Sequence, residues 1–127
     1  MYIMKKSTIF LLSLLFALFL NGCKYDFILP EEVPVITTPP TFALDVAPIF
    51  SNSTKCTACH NGGQAPDLRA ASAFSQIVPG LINTGTPESS LIYSFPAPTT
   101  GTHSWKKYTA GEAAIILAWI KDGAKNN

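Results

Sequence analysis

The sequence of 127 residues predicts a small all-α domain over residues 42–127, on three observations. From Phe42 onward, apolar side chains recur at helical spacing in several short segments. Turn formers separate those segments, at Asn61-Gly62-Gly63, at Pro79-Gly80 and along residues 95–103. The last segment carries its own start and stop signals: Thr109, followed three residues later by Glu112, forms a capping box, and Gly123 supplies a C-cap.

Residues 1–22 stand apart. Lys5 and Lys6 give a short positive region, and the run from 9 to 20 is apolar except for Ser13, too short to span a bilayer comfortably and suited to a secretory signal. It ends in Leu20-Asn21-Gly22-Cys23, which resembles the lipobox of bacterial lipoproteins. In that family the cysteine becomes residue one and carries lipid on its sulfur and its amino group, so the resemblance implies lipidation of Cys23 and stable membrane attachment. The alternative is an ordinary secretory signal in which Cys23 is incidental. The chain has three cysteines, so a disulfide would leave one over, whereas one lipid and one joint use of Cys56 and Cys59 occupy all three.

Removal of residues 1–22 resets the composition. The formal charge of +1 at pH 7 loses Lys5 and Lys6 and becomes −1, and much of the positive mean hydropathy goes with the signal. Basic residues are scattered, and the one adjacent pair, Lys106-Lys107, reads as a solvated turn, so nucleic acid is not an expected partner. Residues 23–41 hold Cys23 and a stretch with Pro30, Pro34, Pro39, Pro40, Glu31 and Glu32, a composition that favours extended polyproline-like backbone. Residues 24–41, at about 3.1 Å per residue, form a tether of up to about 55 Å. Docking of Phe27, Ile28 and Leu29 onto the domain would shorten it.

Within the domain, Phe42, Val46, Ile49 and Phe50 have helical spacing, and Pro48 makes that helix short or late. It leads into Cys56-Thr57-Ala58-Cys59-His60. Two thiols at this spacing can each add across one vinyl group of a porphyrin, sulfur to one carbon and hydrogen to the other. The adjoining imidazole is then held under the iron. The motif thus assigns one covalent haem c to Cys56, Cys59 and His60, with His60 as an iron ligand. A ligand imidazole needs its second nitrogen bonded to a carbonyl or carboxylate, which Pro66 and its neighbours are placed to provide. Arg69 is open to two readings, a haem propionate partner or a surface arginine.

The remaining elements follow in order. Ala70 to Val78 reads as a short helix with Phe74, Ile77 and Val78 inward, ended by Pro79-Gly80. Thr86-Pro87-Glu88 reads as a helix start leading into Leu91, Ile92 and Tyr93. Residues 95–103 offer no period and read as loop. In the last helix Ala113, Ile116, Leu117 and Ile120 form an apolar stripe with Trp119 beside it. Its expected partner, apart from the haem, is the helix before Cys56, so that the two ends of the domain close on each other.

Together these features resemble class I c-type cytochromes, specifically short monohaem domains of bacterial lipoproteins. The resemblance rests on Pro48-Ile49-Phe50, on the C-x-x-C-H motif, on Pro66-Asp67-Leu68, on Pro87-Glu88-Ser89-Ser90-Leu91 and on Trp119-Ile120-Lys121-Asp122-Gly123-Ala124. It implies a small helical fold wrapped around one haem, with His60 as proximal ligand. It also implies electron transfer with redox partner proteins rather than enzyme activity, outside the cytoplasm on a membrane-anchored lipoprotein facing the periplasm or cell exterior.

One departure matters. Many such domains use a methionine as second axial ligand, but Met1 and Met4 are the only methionines and both leave with the signal. The only other imidazole, His103, stands in the loop before the last helix, where a distal ligand would arrive. The alternatives at the iron are water, Lys106, Lys107 or an open position. Two imidazoles predict a comparatively low-potential carrier, whereas an open position predicts a five-coordinate peroxidase or gas sensor. A third class, a non-haem Cys/His metal module, would draw on Cys56, Cys59, His60 and His103; consecutive Cys59 and His60 fit one zinc ion poorly.

Overall fold

Pro48 decides how the first helix begins. It has no N–H to donate, and the chain reaches it through one wide, π-helical turn, Phe42–Val46, in which Val46 N–H bonds to Thr41 O at 3.2 Å. Pro48 then sits in the first turn of helix α1, Ala47–Ser51, where no N–H is required. The computed structural model describes Leu29, residues 32–103 and residues 105–127. Cys23, the signal segment and residues up to 28 lie outside the described residues, as do the lipidation and export expectations that rest on them.

Helix α2, Ala73–Leu81, begins three residues later than the sequence suggests and continues through Pro79. Arg69 O accepts from both Ser72 N–H and Ala73 N–H at 2.8 Å, so residues 69–72 close a separate turn. At the other end Pro79 and Gly80 are exposed while Val78, Leu81 and Ile82 pack against the core. Apolar burial there offsets the backbone bond that Pro79 cannot donate.

The continuous helix expected after Thr86 is divided into a 3₁₀ turn, Pro87–Ser89, and a one-turn helix α3, Leu91–Ser94. Ser90 divides them. Its buried hydroxyl accepts from Asn83 N–H at 2.9 Å and donates to Asn83 O at 3.3 Å, and this hold on a neighbouring loop competes with helical backbone.

Helix α4, Ala110–Lys121, has both of its expected ends. Thr109 Oγ1 accepts from Glu112 N–H at 3.1 Å, and Glu112 Oε2 accepts from Thr109 N–H at 2.7 Å. At the C-terminus Gly123, with φ 94°, turns the chain so that Ala124 N–H reaches Trp119 O and Gly123 N–H reaches Ile120 O, both at 3.0 Å. The buried stripe is Ala113, Ile116, Trp119 and Ile120, and Leu117 is half-buried. Trp119, placed beside the stripe on sequence grounds, is its largest member.

Helix α4 meets the start of the domain around that indole. Phe42 packs against Trp119 with ring centres 5.3 Å apart, and Phe74 of α2 meets Phe42 edge-on at 5.1 Å. Two hydrogen bonds of 3.0 Å, from Phe42 N–H to Asn127 Oδ1 and from Ala43 N–H to Asn127 O, join the first helical turn to the last residue. Among the described residues the chain forms helices and no strand, so its class is all-α. Among them, too, no helix is long and apolar enough to cross a membrane.

The proline-rich stretch lies against this unit from Pro34 onward. A Cβ on Gly111 would approach Pro34 Cδ to 3.5 Å, Pro40 is buried, and residues 35–40 with Asp45 and Ile115 line a shallow cavity of about 240 Å³.

Candidate functional site

The five-residue motif forms one hydrogen-bonded turn. Phe50 O receives the N–H groups of Cys56 at 3.0 Å and Thr57 at 3.3 Å, while Cys56 O receives those of Cys59 at 3.1 Å and His60 at 2.9 Å. Residues at i, i+3 and i+4 share a face of such a turn. Cys56, Cys59 and His60 accordingly line one cavity of about 530 Å³, a size common for small-molecule and cofactor sites.

The loop after the motif fixes the imidazole. Leu68 N–H returns to His60 O at 2.9 Å, and His60 Nδ1 lies 3.1 Å from Pro66 O. That contact makes Nδ1 the protonated nitrogen and leaves the Nε2 lone pair to bind a metal. The loop is stiffened by Arg69, whose Nε and Nη2 donate to Asp67 at 3.0 and 2.6 Å. Through these hydrogen bonds Arg69 holds the Asp67 carboxyl well below the usual carboxylate range. Gly62, at φ 98°, completes the turn, and a Cβ there would come within 2.9 Å of Arg69 Nη2. Arg69 therefore acts in the loop and does not line the cavity.

The opposite wall comes from the segment before α4. His103 lines the same cavity, and its ring centre is 6.4 Å from that of His60, with the planes inclined by 28°. A metal held between the two rings by nitrogen bonds of about 2 Å each would need a separation of this order. His103 Nδ1 is buried without a hydrogen-bond partner, an arrangement that costs stability unless another group satisfies it. The edge of Phe95 stands against the imidazole, with centres 5.9 Å apart.

Hydroxyls that have no sequence period hold this loop in place. Thr102 Oγ1 donates to Phe95 O at 2.6 Å, and Thr100 Oγ1 donates to Ala97 O at 3.1 Å. Lys107 Nζ donates to Thr100 O and lies outside the lining, whereas Lys106 belongs to it and donates to Thr54 O at 3.3 Å. Sequence reading could not assign these roles, because threonines in a loop of prolines and glycines carry no pattern that names their acceptors.

Leu68, Leu81, Leu91, Ile92, Pro96 and Tyr108 complete a mostly apolar wall. Tyr108 is buried and donates its hydroxyl to Ile92 O at 2.9 Å; burial raises its phenol well above the usual value, so it is a neutral wall residue. Burial also pushes the Cys56 thiol up. A thiol so shifted is a poor thiolate nucleophile, which disfavours disulfide exchange. No group of three or more His, Cys, Asp or Glu side chains among the described residues is arranged to hold a bare metal ion.

These residues fit a planar, apolar cofactor with a central metal. They offer two free thiols, one oriented imidazole, a second imidazole with an unsatisfied buried nitrogen, and aliphatic and aromatic walls. Comparisons with family models, curated proteins and solved structures return no match.

Proposed function

We propose that this chain is a lipid-anchored monohaem c-type cytochrome that carries single electrons outside the cytoplasm and is not an enzyme. One observation carries the reading: Cys56, Cys59, His60 and His103 line one mostly apolar cavity, with the two imidazole ring centres 6.4 Å apart. Haem c, when bound, supplies reversible one-electron chemistry at iron, with a potential set by its axial ligands and surroundings.

The chain supplies the rest. Cys56 and Cys59 would hold the group through thioethers, and His60, oriented by Pro66 O, and His103 would be its metal ligands. Leu68, Ile92 and Tyr108 exclude water, while the exposed position of Cys59 leaves one edge accessible to partner proteins. Ligation by both imidazoles would leave no open position at the iron, which favours a carrier over the peroxidase or gas-sensor reading and predicts a comparatively low potential. Cys23 would supply the membrane attachment.

Intact mass spectrometry of the protein purified from membranes tests the whole reading. The expected mass is that of residues 23–127 plus one haem and the lipid of Cys23. A mature chain without haem would overturn it, and a haem-bearing chain without lipid would remove the anchor alone.

A further inference from the structure

Lys55 and Glu112 form an ion pair that haem attachment itself does not require. Lys55 immediately precedes Cys56, and Glu112 lies in the first turn of α4. Lys55 Nζ donates to Glu112 Oε2, and the side chains retain 20% and 24% of their exposure. The same oxygen accepts Thr109 N–H at 2.7 Å, so one carboxylate both caps α4 and holds the residue before the first haem cysteine.

The charges of Lys55, Glu112 and Lys106 all act on the Cys56 side chain. Lys55 and Glu112 also line or adjoin the cavity wall: Lys55 and Lys106 belong to its lining, and Glu112 is bound to Lys55. An exposed ion pair contributes little to stability. A partly buried one beside a haem is less screened than a fully exposed one, so an uncompensated charge there is felt more strongly.

We infer that Glu112 is a positioning residue of the haem site: it draws Lys55 and the Cys56 turn onto α4 and cancels the Lys55 charge, keeping the reduction potential low. The inference rests on the haem reading above. Reduction adds one electron, drawn from an external donor, to the site. An uncompensated ammonium therefore favours the reduced form and an uncompensated carboxylate the oxidised form.

Two substitutions separate charge from structure. Glu112→Gln removes the charge but keeps an acceptor at the capping position. Lys55→Gln leaves the capping box intact. Potentials of the full-length, haem-loaded proteins are measured by spectroelectrochemical titration, with melting temperatures alongside. Glu112→Gln is expected to raise the potential and Lys55→Gln to lower it, each shifting the reduction equilibrium by about threefold to tenfold; a tenfold shift is about 59 mV for one electron. The double substitution returns toward wild type. Shifts of the same sign, or shifts below about twofold, would overturn the inference while leaving the haem reading intact. Wild-type protein without haem would overturn the haem reading and this inference with it. Should Glu112→Gln fail to fold, the lowered potential of Lys55→Gln decides the matter.

Discussion

The two sides of this domain solve the problem of apolar burial differently. Where the two ends of the domain meet, Phe50, Ile116, Ile120 and Trp119 are all at or below 1% exposure, and the indole is further held by its N–H to Lys125 O at 2.8 Å. At the mouth of the cavity the chain leaves Leu91 at 53%, Phe95 at 47% and Trp105 at 67% exposure. The first region is satisfied by the polypeptide alone. The second gathers apolar side chains, two thiols and two imidazoles around a volume that the polypeptide does not fill. In a domain this small the apolar core is limited, so a bound haem is expected to provide much of the stability that the cavity side lacks.

Removing both thiols should destabilise the domain most. Cys56→Ala combined with Cys59→Ala should leave an unstable, mostly degraded protein, followed by limited proteolysis and accumulation in the cell. A well-folded, protease-resistant double variant would show that the core side suffices.

On the core side, Trp119→Ala should cost about 3–5 kcal/mol, because it empties the junction of Phe42, Phe74 and α4 and leaves Lys125 O without its donor. Chemical denaturation of the haem-loaded protein measures this. A loss below about 1 kcal/mol, the size of an ordinary substitution, would mean that the junction of the two ends of the domain contributes little.

Leu91→Ala should change the molecule least. Its side chain is 53% exposed, so a position facing only water would cost no more than about 0.5 kcal/mol, whereas packing against haem should make the loss in haem-loaded protein about 1 kcal/mol or more by chemical denaturation. A loss within the surface range would place Leu91 outside the haem contact.

How much of this was legible beforehand follows the range of each interaction. The capping box at Thr109 and Glu112, the Gly123 C-cap and the i, i+3, i+4 geometry of Cys56, Cys59 and His60 are local patterns, and each appears where its spacing put it. The Pro66 carbonyl, six residues from His60, was still close enough to anticipate. The division of the helix at Ser90 was not, because the preference of serine for Asn83 depends on a neighbouring loop. The same holds for the Lys55–Glu112 pair and for the packing of Pro34 on Gly111, which join residues far apart in the chain and leave no periodic trace. Pro79-Gly80 reads as a helix end in the sequence, whereas the helix runs on to Leu81 because Val78 and Leu81 pack against the core. The His60–His103 approach rests in the sequence on two arguments, that no other imidazole is present and that His103 stands in the loop before the last helix; the 6.4 Å separation depends on the folded loop.

Ligation of one iron by both His60 and His103 has a spectroscopic signature. In ultraviolet-visible and low-temperature electron paramagnetic resonance spectra of the purified protein, recorded beside His103→Ala, low-spin iron with bis-histidine features is expected in the wild type and high-spin iron in the variant. Identical spectra from the two proteins, or a high-spin wild type, would remove His103 from the iron.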